Sequence, residues 1–250
     1  YYFKGRAHLT LGNFVEAQTD IQTSIDLGLG KIETLAYLGY ARLKGGDPGR
    51  AESPLTSAIG AAPRVALYNA FFGELLLSFD NFAQALNFTD NAKSLDPGLG
   101  LPYLIDARIF MATGLEDSAR NVLDSLTERE FPTAQDYVDR GEILAFFGEY
   151  DLAFSDLDRA ILINPDRANF YNARAKTYAI RGRFDSALED FNTAIEKDPA
   201  AGEYLVNRGV LHTILGETIP AINDFASAQS LGVTEFPQLH DQNAAFFAVY

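Results

Sequence analysis

Cysteine and tryptophan are absent from the 250 residues, and methionine occurs once. Without cysteine there is no disulfide and no thiolate metal site, and the redox compartment leaves no trace. No run of about eighteen apolar residues occurs, so no helix of this chain is expected to span a membrane. Cations are scarce: 20 Lys and Arg stand against 34 Asp and Glu, a formal charge of −14. Such a chain repels phosphates, so nucleic acid is not an expected partner. An acidic soluble surface, or a basic protein partner, fits that balance. Histidine occurs only at His8, His212 and His240, never with a second ligand at metal-binding spacing. Leu27-Gly28-Leu29-Gly30-Lys31 has the look of a phosphate loop but lacks the earlier glycine and the Ser or Thr after the lysine. Asn87-Phe88-Thr89 matches a glycosylation sequon, but it falls inside a helical pattern. Asp151, Asp156 and Asp158, and again Asp185, Glu189 and Asp190, are expected on exposed helix faces as solvated carboxylates. The expectation is a protein with no catalytic group, no metal and no cofactor. No signal peptide is expected within these residues, and the opening on Tyr1 rather than Met is what a chain with an upstream segment removed or left out would show. The missing cysteines and the single methionine lean towards an exported or cell-surface location over a cytoplasmic one.

What the sequence does contain is a period. Ala168 to Ala201 reads as two amphipathic helices around a tight turn. Gly182 stands at the turn and Asp198-Pro199 at the close. With Ala168 as position 1, steps of 34 residues keep position 20 as alanine throughout: Ala17, Ala51, Ala85, Ala119, Ala153, Ala187 and Ala221. Position 8 is Gly5, Gly39, Gly73, Ala107, Gly141, Ala175 and Gly209. The turn, position 15, is glycine except at Asp80. Small residues at 8 and 20 are what two closely crossing helices require.

These residues resemble the tetratricopeptide repeat, a 34-residue helical hairpin with the pattern W-x2-L-G-x2-Y, A-x3-F and P. The first aromatic stands as Tyr1, Tyr103, Tyr137 and Tyr171, the A-x3-F pair as Ala187/Phe191 and Ala221/Phe225, and the proline as Pro63, Pro97, Pro165 and Pro199. The departures are local: Thr89 replaces a large apolar residue, Pro54 falls inside a second helix and is expected to kink it, and Leu126 and Phe131-Pro132 disturb the fourth unit. The resemblance implies an all-α fold, a right-handed α-solenoid of stacked hairpins in one domain over 1–250. Its units fall at about 1–31, 32–65, 66–99, 100–133, 134–167, 168–201 and 202–235, with a terminal helix at 236–250.

The resemblance also implies a function. First helices of such a stack line the concave side. The candidate groove residues are Tyr40, Phe71, Glu74, Leu101, Arg108, Met111, Glu142, Asn169, Asn172, Lys176 and Asn207. They suit a non-catalytic scaffold that holds a protein or peptide segment. The Lys and Asn clamp by which some repeats grip the C-terminal carboxylate of heat-shock chaperones is missing. The alternative reading is a structural protein that stacks head to tail on copies of itself. Its candidate ends are Tyr1, Tyr2 and Phe3 and, at the other terminus, Phe246, Phe247 and Tyr250.

Overall fold

The computed structural model describes residues 1–123, 125–126 and 129–234. The expected terminal helix, with His240, Phe246, Phe247 and Tyr250, lies outside the described residues. Two compact units divide the chain, Tyr1–Asp136 and Tyr137–Tyr250. Among the described residues every regular element is helical. No helix among them is long and apolar enough to cross a membrane.

In the first unit run α1 (Tyr2–Thr10), α2 (Phe14–Ser24), α3 (Ile32–Lys44), α4 (Pro48–Ala61), α5 (Ala66–Ser78), α6 (Phe82–Leu95), α7 (Leu101–Ala112) and the short α8 (Glu116–Leu123). α9 (Ala134–Phe146) starts at its end. The second unit continues with α10 (Tyr150–Ile163), α11 (Ala168–Ile180), α12 (Phe184–Lys197), α13 (Gly202–Ile214) and α14 (Thr218–Ser230). A π-helical turn, Ile25–Leu29, follows α2 and accounts for the glycines before Lys31 as an inter-hairpin connection. Within each unit the second helix of one hairpin packs on the first helix of the next, α2 on α3 and α4 on α5, or α10 on α11 and α12 on α13. This linear stacking, each hairpin covering its neighbour, is an α-solenoid.

The turn explains the punctuation at position 15. At Gly182, with φ of 78°, the amide donates to the Ala179 carbonyl at 3.0 Å, and the Arg183 amide donates to Tyr178 at 2.8 Å. These two bonds close the last carbonyls of α11 in a Schellman motif. The same pair recurs at residues 46 and 47, 114 and 115, 148 and 149, and 216 and 217. In the third hairpin Asp80 takes the position at φ of 55°. A side chain there strains the left-handed backbone, so Asp80→Gly should raise stability by about 0.5 kcal/mol in denaturant titrations, after the added flexibility of the unfolded glycine is subtracted.

The small residues at positions 8 and 20 meet as the register requires. A Cβ on Gly39 would come within 2.5 Å of Leu55 Cγ and 3.2 Å of the Ala51 carbonyl oxygen. Ala51 itself is fully buried, as are Ala17, Ala85, Ala119, Ala153 and Ala187.

Pro54 does not interrupt α4, which is helical from Pro48 to Ala61. Having no N–H, Pro54 leaves the carbonyl of Arg50 without its intrahelical donor. Arg42, on α3, supplies one: its Nη1 donates to that oxygen at 3.1 Å. A side chain from the neighbouring helix thus fills the gap that the proline leaves. Arg42→Ala should therefore cost about 1 kcal/mol more in the native background than beside Pro54→Ala, where the helix bond is restored. Equal costs in the two backgrounds would refute the coupling.

Candidate functional site

Within each unit, position 9 of successive first helices forms a column. In the first unit it holds Arg6, Tyr40, Glu74 and Arg108, and in the second Glu142, Lys176 and Val210. Several neighbours one repeat apart bind each other. The Tyr40 hydroxyl donates to Glu74 Oε2 at 3.4 Å, and Arg108 Nη1 donates to Glu74 Oε1 at 2.8 Å. In the second unit Lys176 Nζ meets Glu142 Oε1 at 2.7 Å. The signal for this ladder was in the sequence as alternating sign at 34-residue spacing.

Around Glu74 the first unit encloses a polar cluster. Lys44 Nζ lies 3.2 Å from Glu74 Oε1 and 2.9 Å from Asp136 Oδ1. Asp136 also accepts from the Thr133 amide and hydroxyl, at 2.9 and 2.7 Å, while its own amide donates to Thr133 Oγ1. That reciprocal pair caps the start of α9 and fixes the carboxylate. Lys44, Glu74 and Asp136 side chains are all nearly inaccessible, and Arg108 is 34% exposed. Charges held this deep persist because they are matched in sign and hydrogen-bonded.

The candidate groove is thus only partly a surface. Tyr40 and Phe71 are fully buried and stack on each other, ring centroids 3.8 Å apart at 9°. Leu101 is likewise enclosed, and Glu74 is spent on the internal network. Tyr40, Phe71 and Leu101 therefore belong to the core between hairpins, where their apolar area contributes to folding, and not to an open anchor surface. Arg108, Met111, Glu142, Asn169 and Lys176 remain half-exposed. Asn172 and Asn207 are buried in the second unit, yet paired: Asn207 Nδ2 donates to Asn172 Oδ1 at 2.9 Å. Near the start of the first unit, Arg6 lies over the Tyr37 ring at 4.5 Å and pairs loosely with Glu33 at 3.4 Å. Burial raises the hydroxyl pKa of both Tyr2 and Tyr37.

A second set of residues escaped the sequence reading. Positions 7 and 23 carry an ion pair joining the two helices of a hairpin: Lys4 with Asp20, Arg140 with Asp156, Arg174 with Asp190 and Arg208 with Asp224. The three arginine pairs are bidentate. Asp20, Asp156, Asp190 and Asp224 are buried, so Asp156 and Asp190 are not the solvated carboxylates expected of an exposed face. Burial raises the Asp156 pKa, opposed by its hydrogen bond to Arg140. The Asp190 hydrogen bond pushes Arg174 above the usual guanidinium range. Two of these arginines also reach back one hairpin. Arg174 Nη1 contacts Asp158 Oδ1 at 2.6 Å, and Arg208 Nη1 contacts Asn192 Oδ1 at 2.6 Å. Hairpins two and three carry apolar residues at these two positions, Leu38 and Pro54 in one and Phe72 and Phe88 in the other, the latter rings 4.8 Å apart. His8 and His212 sit beside the same aspartates, 3.7 Å from Asp20 and 3.9 Å from Asp224, and are half-buried packing residues.

The family model for the tetratricopeptide repeat matches residues 168–201. No curated protein matches the chain. Among solved structures, one similar chain is YrrB, described as a TPR protein with an unusual peptide-binding site, at 22% identity and a TM-score of 0.54, covering 71% of this chain and 92% of that one. A tetratricopeptide repeat protein from Parabacteroides merdae is 18% identical, TM-score 0.51, covering 93% of this chain and 92% of the other. The Cut9–Hcn1 assembly of the APC/C gives a TM-score of 0.71 at 14% identity, over 90% of this chain but 44% of that chain. Residues 168–201 thus match the tetratricopeptide repeat, and the seven hairpins among the described residues share the fold of these solved tetratricopeptide-repeat proteins.

Proposed function

We propose that the protein is a non-catalytic scaffold that holds an extended segment of a protein partner along its first helices. One observation carries this reading. The bond from Asn207 to Asn172 leaves the amide NH2 of Asn172 and the carbonyl of Asn207 over, a donor and an acceptor suited to one peptide group. Half-exposed Asn169, Glu142 and Lys176 accompany that pair in the second unit, and Arg108 and Met111 offer a further polar and apolar contact in the first. The peptide-binding site named for YrrB supports the reading by likeness of fold. A photo-crosslinking residue at Lys176 or Met111 should capture a partner that the same residue at Leu162, on the second helix α10 and 84% exposed, does not. Replacing Asn172 and Asn207 together by alanine should weaken that partner about fivefold or more, the loss of one or two hydrogen bonds. Capture from both helix faces alike would overturn the reading.

Self-association is the second reading, favoured by apolar side chains left exposed on the first hairpin, Tyr1, Phe3 and Val15 at 64%, 79% and 72%. Light scattering against concentration tests it. Mass that rises with concentration, and stops rising in Phe3→Asp, supports assembly through these side chains; a constant monomer mass rejects it.

A further inference from the structure

A concavity of about 520 Å³ lies between α2, α3 and the start of α4. Val15 and Leu38 form part of its wall, and the rest is polar: Gln18, Thr19, Gln22 and Thr23 from α2, Arg42 from α3 and Arg50 from α4. Two arginines share one small cavity in a chain of charge −14. Unlike Arg140, Arg174 and Arg208, Arg42 places its hydrogen bonds on neutral oxygens, the Arg50 carbonyl at 3.1 Å and Gln22 Oε1 at 3.0 Å. Its Nε is buried with no acceptor. Burial and the nearby Arg50 both lower the Arg42 pKa, the direction expected of a cation short of counter-charge. Arg50 has one carboxylate, Asp47 at 3.3 Å, and its side chain stays 69% exposed.

The α2 wall has the opposite polarity. The Thr19 and Thr23 hydroxyls donate to the carbonyls of Val15 and Thr19, at 2.9 and 2.8 Å, and Gln18 Nε2 donates to Ala41 at 3.2 Å. The two hydroxyl protons and one of the two Gln18 amide protons are spent, which leaves the hydroxyl and amide oxygens as acceptors. A ligand that fits both walls brings an anion to the arginines and N–H or O–H donors to the threonines and Gln18. We propose that this cavity binds a carboxylate flanked by hydrogen-bond donors, on Arg42 and Arg50 with Thr19, Thr23 and Gln18 opposite.

That chemistry is offered both by the C-terminus of a peptide chain and by a hydroxy acid, and two probes separate them: N-acetyl-glycyl-glycine and gluconate, with N-acetyl-glycyl-glycinamide as the uncharged control. Titration is followed by the arginine Nε–H signals in 15N NMR and by calorimetry. At least one acid should saturate, and it should bind about tenfold or more tighter than the amide, the difference a charge-assisted bidentate contact makes. Saturation by the acetyl dipeptide alone marks a chain terminus as the source, and by gluconate alone a hydroxy acid; either supports the site. Because Arg42 also serves α4, the deciding variants leave it in place. Arg50→Gln should weaken the acid about threefold or more, and Asp47→Asn, which keeps a good N-cap, should tighten it about threefold by removing the competing carboxylate. The proposal is overturned if neither acid saturates, if the amide binds as well as the acid, or if both variants leave the affinity unchanged. Because none of these residues lies on the first-helix column, failure here leaves the scaffold reading intact, and the reverse holds too.

Discussion

Asp190→Ala should destabilise the protein by about 2 kcal/mol, read as a lower denaturant midpoint at unchanged slope, although acidic side chains on a helix surface are commonly near neutral when removed. Asp190 is 6% exposed and takes two bonds from Arg174, at 2.7 and 2.9 Å. Its loss strands a half-buried guanidinium between three helices. A fully enclosed pair broken on one side costs roughly 3–5 kcal/mol; here Arg174 keeps Asp158 and some water, which lowers the figure. Arg174→Met beside Asp190→Leu should recover most of the loss, since apolar residues already fill the equivalent places, Leu38 and Pro54 in one hairpin and Phe72 and Phe88 in the next. A midpoint unchanged by Asp190→Ala would show that the pair contributes nothing.

Ala187→Leu should cost about 3 kcal/mol. Ala187 is wholly inaccessible in the core formed with Ala175, Ala179, Phe191 and Leu211. In the homologous crossing of the second hairpin, a single Cβ added at Gly39 already lies 3.2 Å from the carbonyl of Ala51, the residue equivalent to Ala187. Three further carbons cannot enter without moving α11 from α12. Ala153→Leu should behave alike, and a thermal melt that ranks either below Asp80→Gly in effect would contradict the crossing.

Much of the fold was legible because its causes are local and repeated. Gly182 and Ala187 each answer a need of a single hairpin, a left-handed turn and a close crossing, so the need recurs every 34 residues and shows as a period. The candidate surface was harder to read. Which side of a first-helix residue is covered depends on the neighbouring hairpin, and Phe71 goes inward because Tyr40 stacks on it. Asp190 looked solvated because its partner stands sixteen residues away on the other helix. The Arg and Asp columns at 140, 174, 208 and 156, 190, 224 do reveal that partner once both are set in register. Pro54 looked disruptive because the arginine that compensates for it belongs to another helix.

The arginine that grips two hairpins has a thermodynamic meaning. A linear repeat protein behaves as a row of switches, each with its own bias and a coupling to the next. Arg174 enters both quantities: the bond to Asp190 biases one switch, and the bond to Asp158 ties it to the switch before. The two can be separated. Asp158 is 58% exposed, so Asp158→Ala should hardly move the midpoint of unfolding. It should instead let α11 and α12 open ahead of α10, seen as amide exchange rates that diverge between the two hairpins where the native chain exchanges them together.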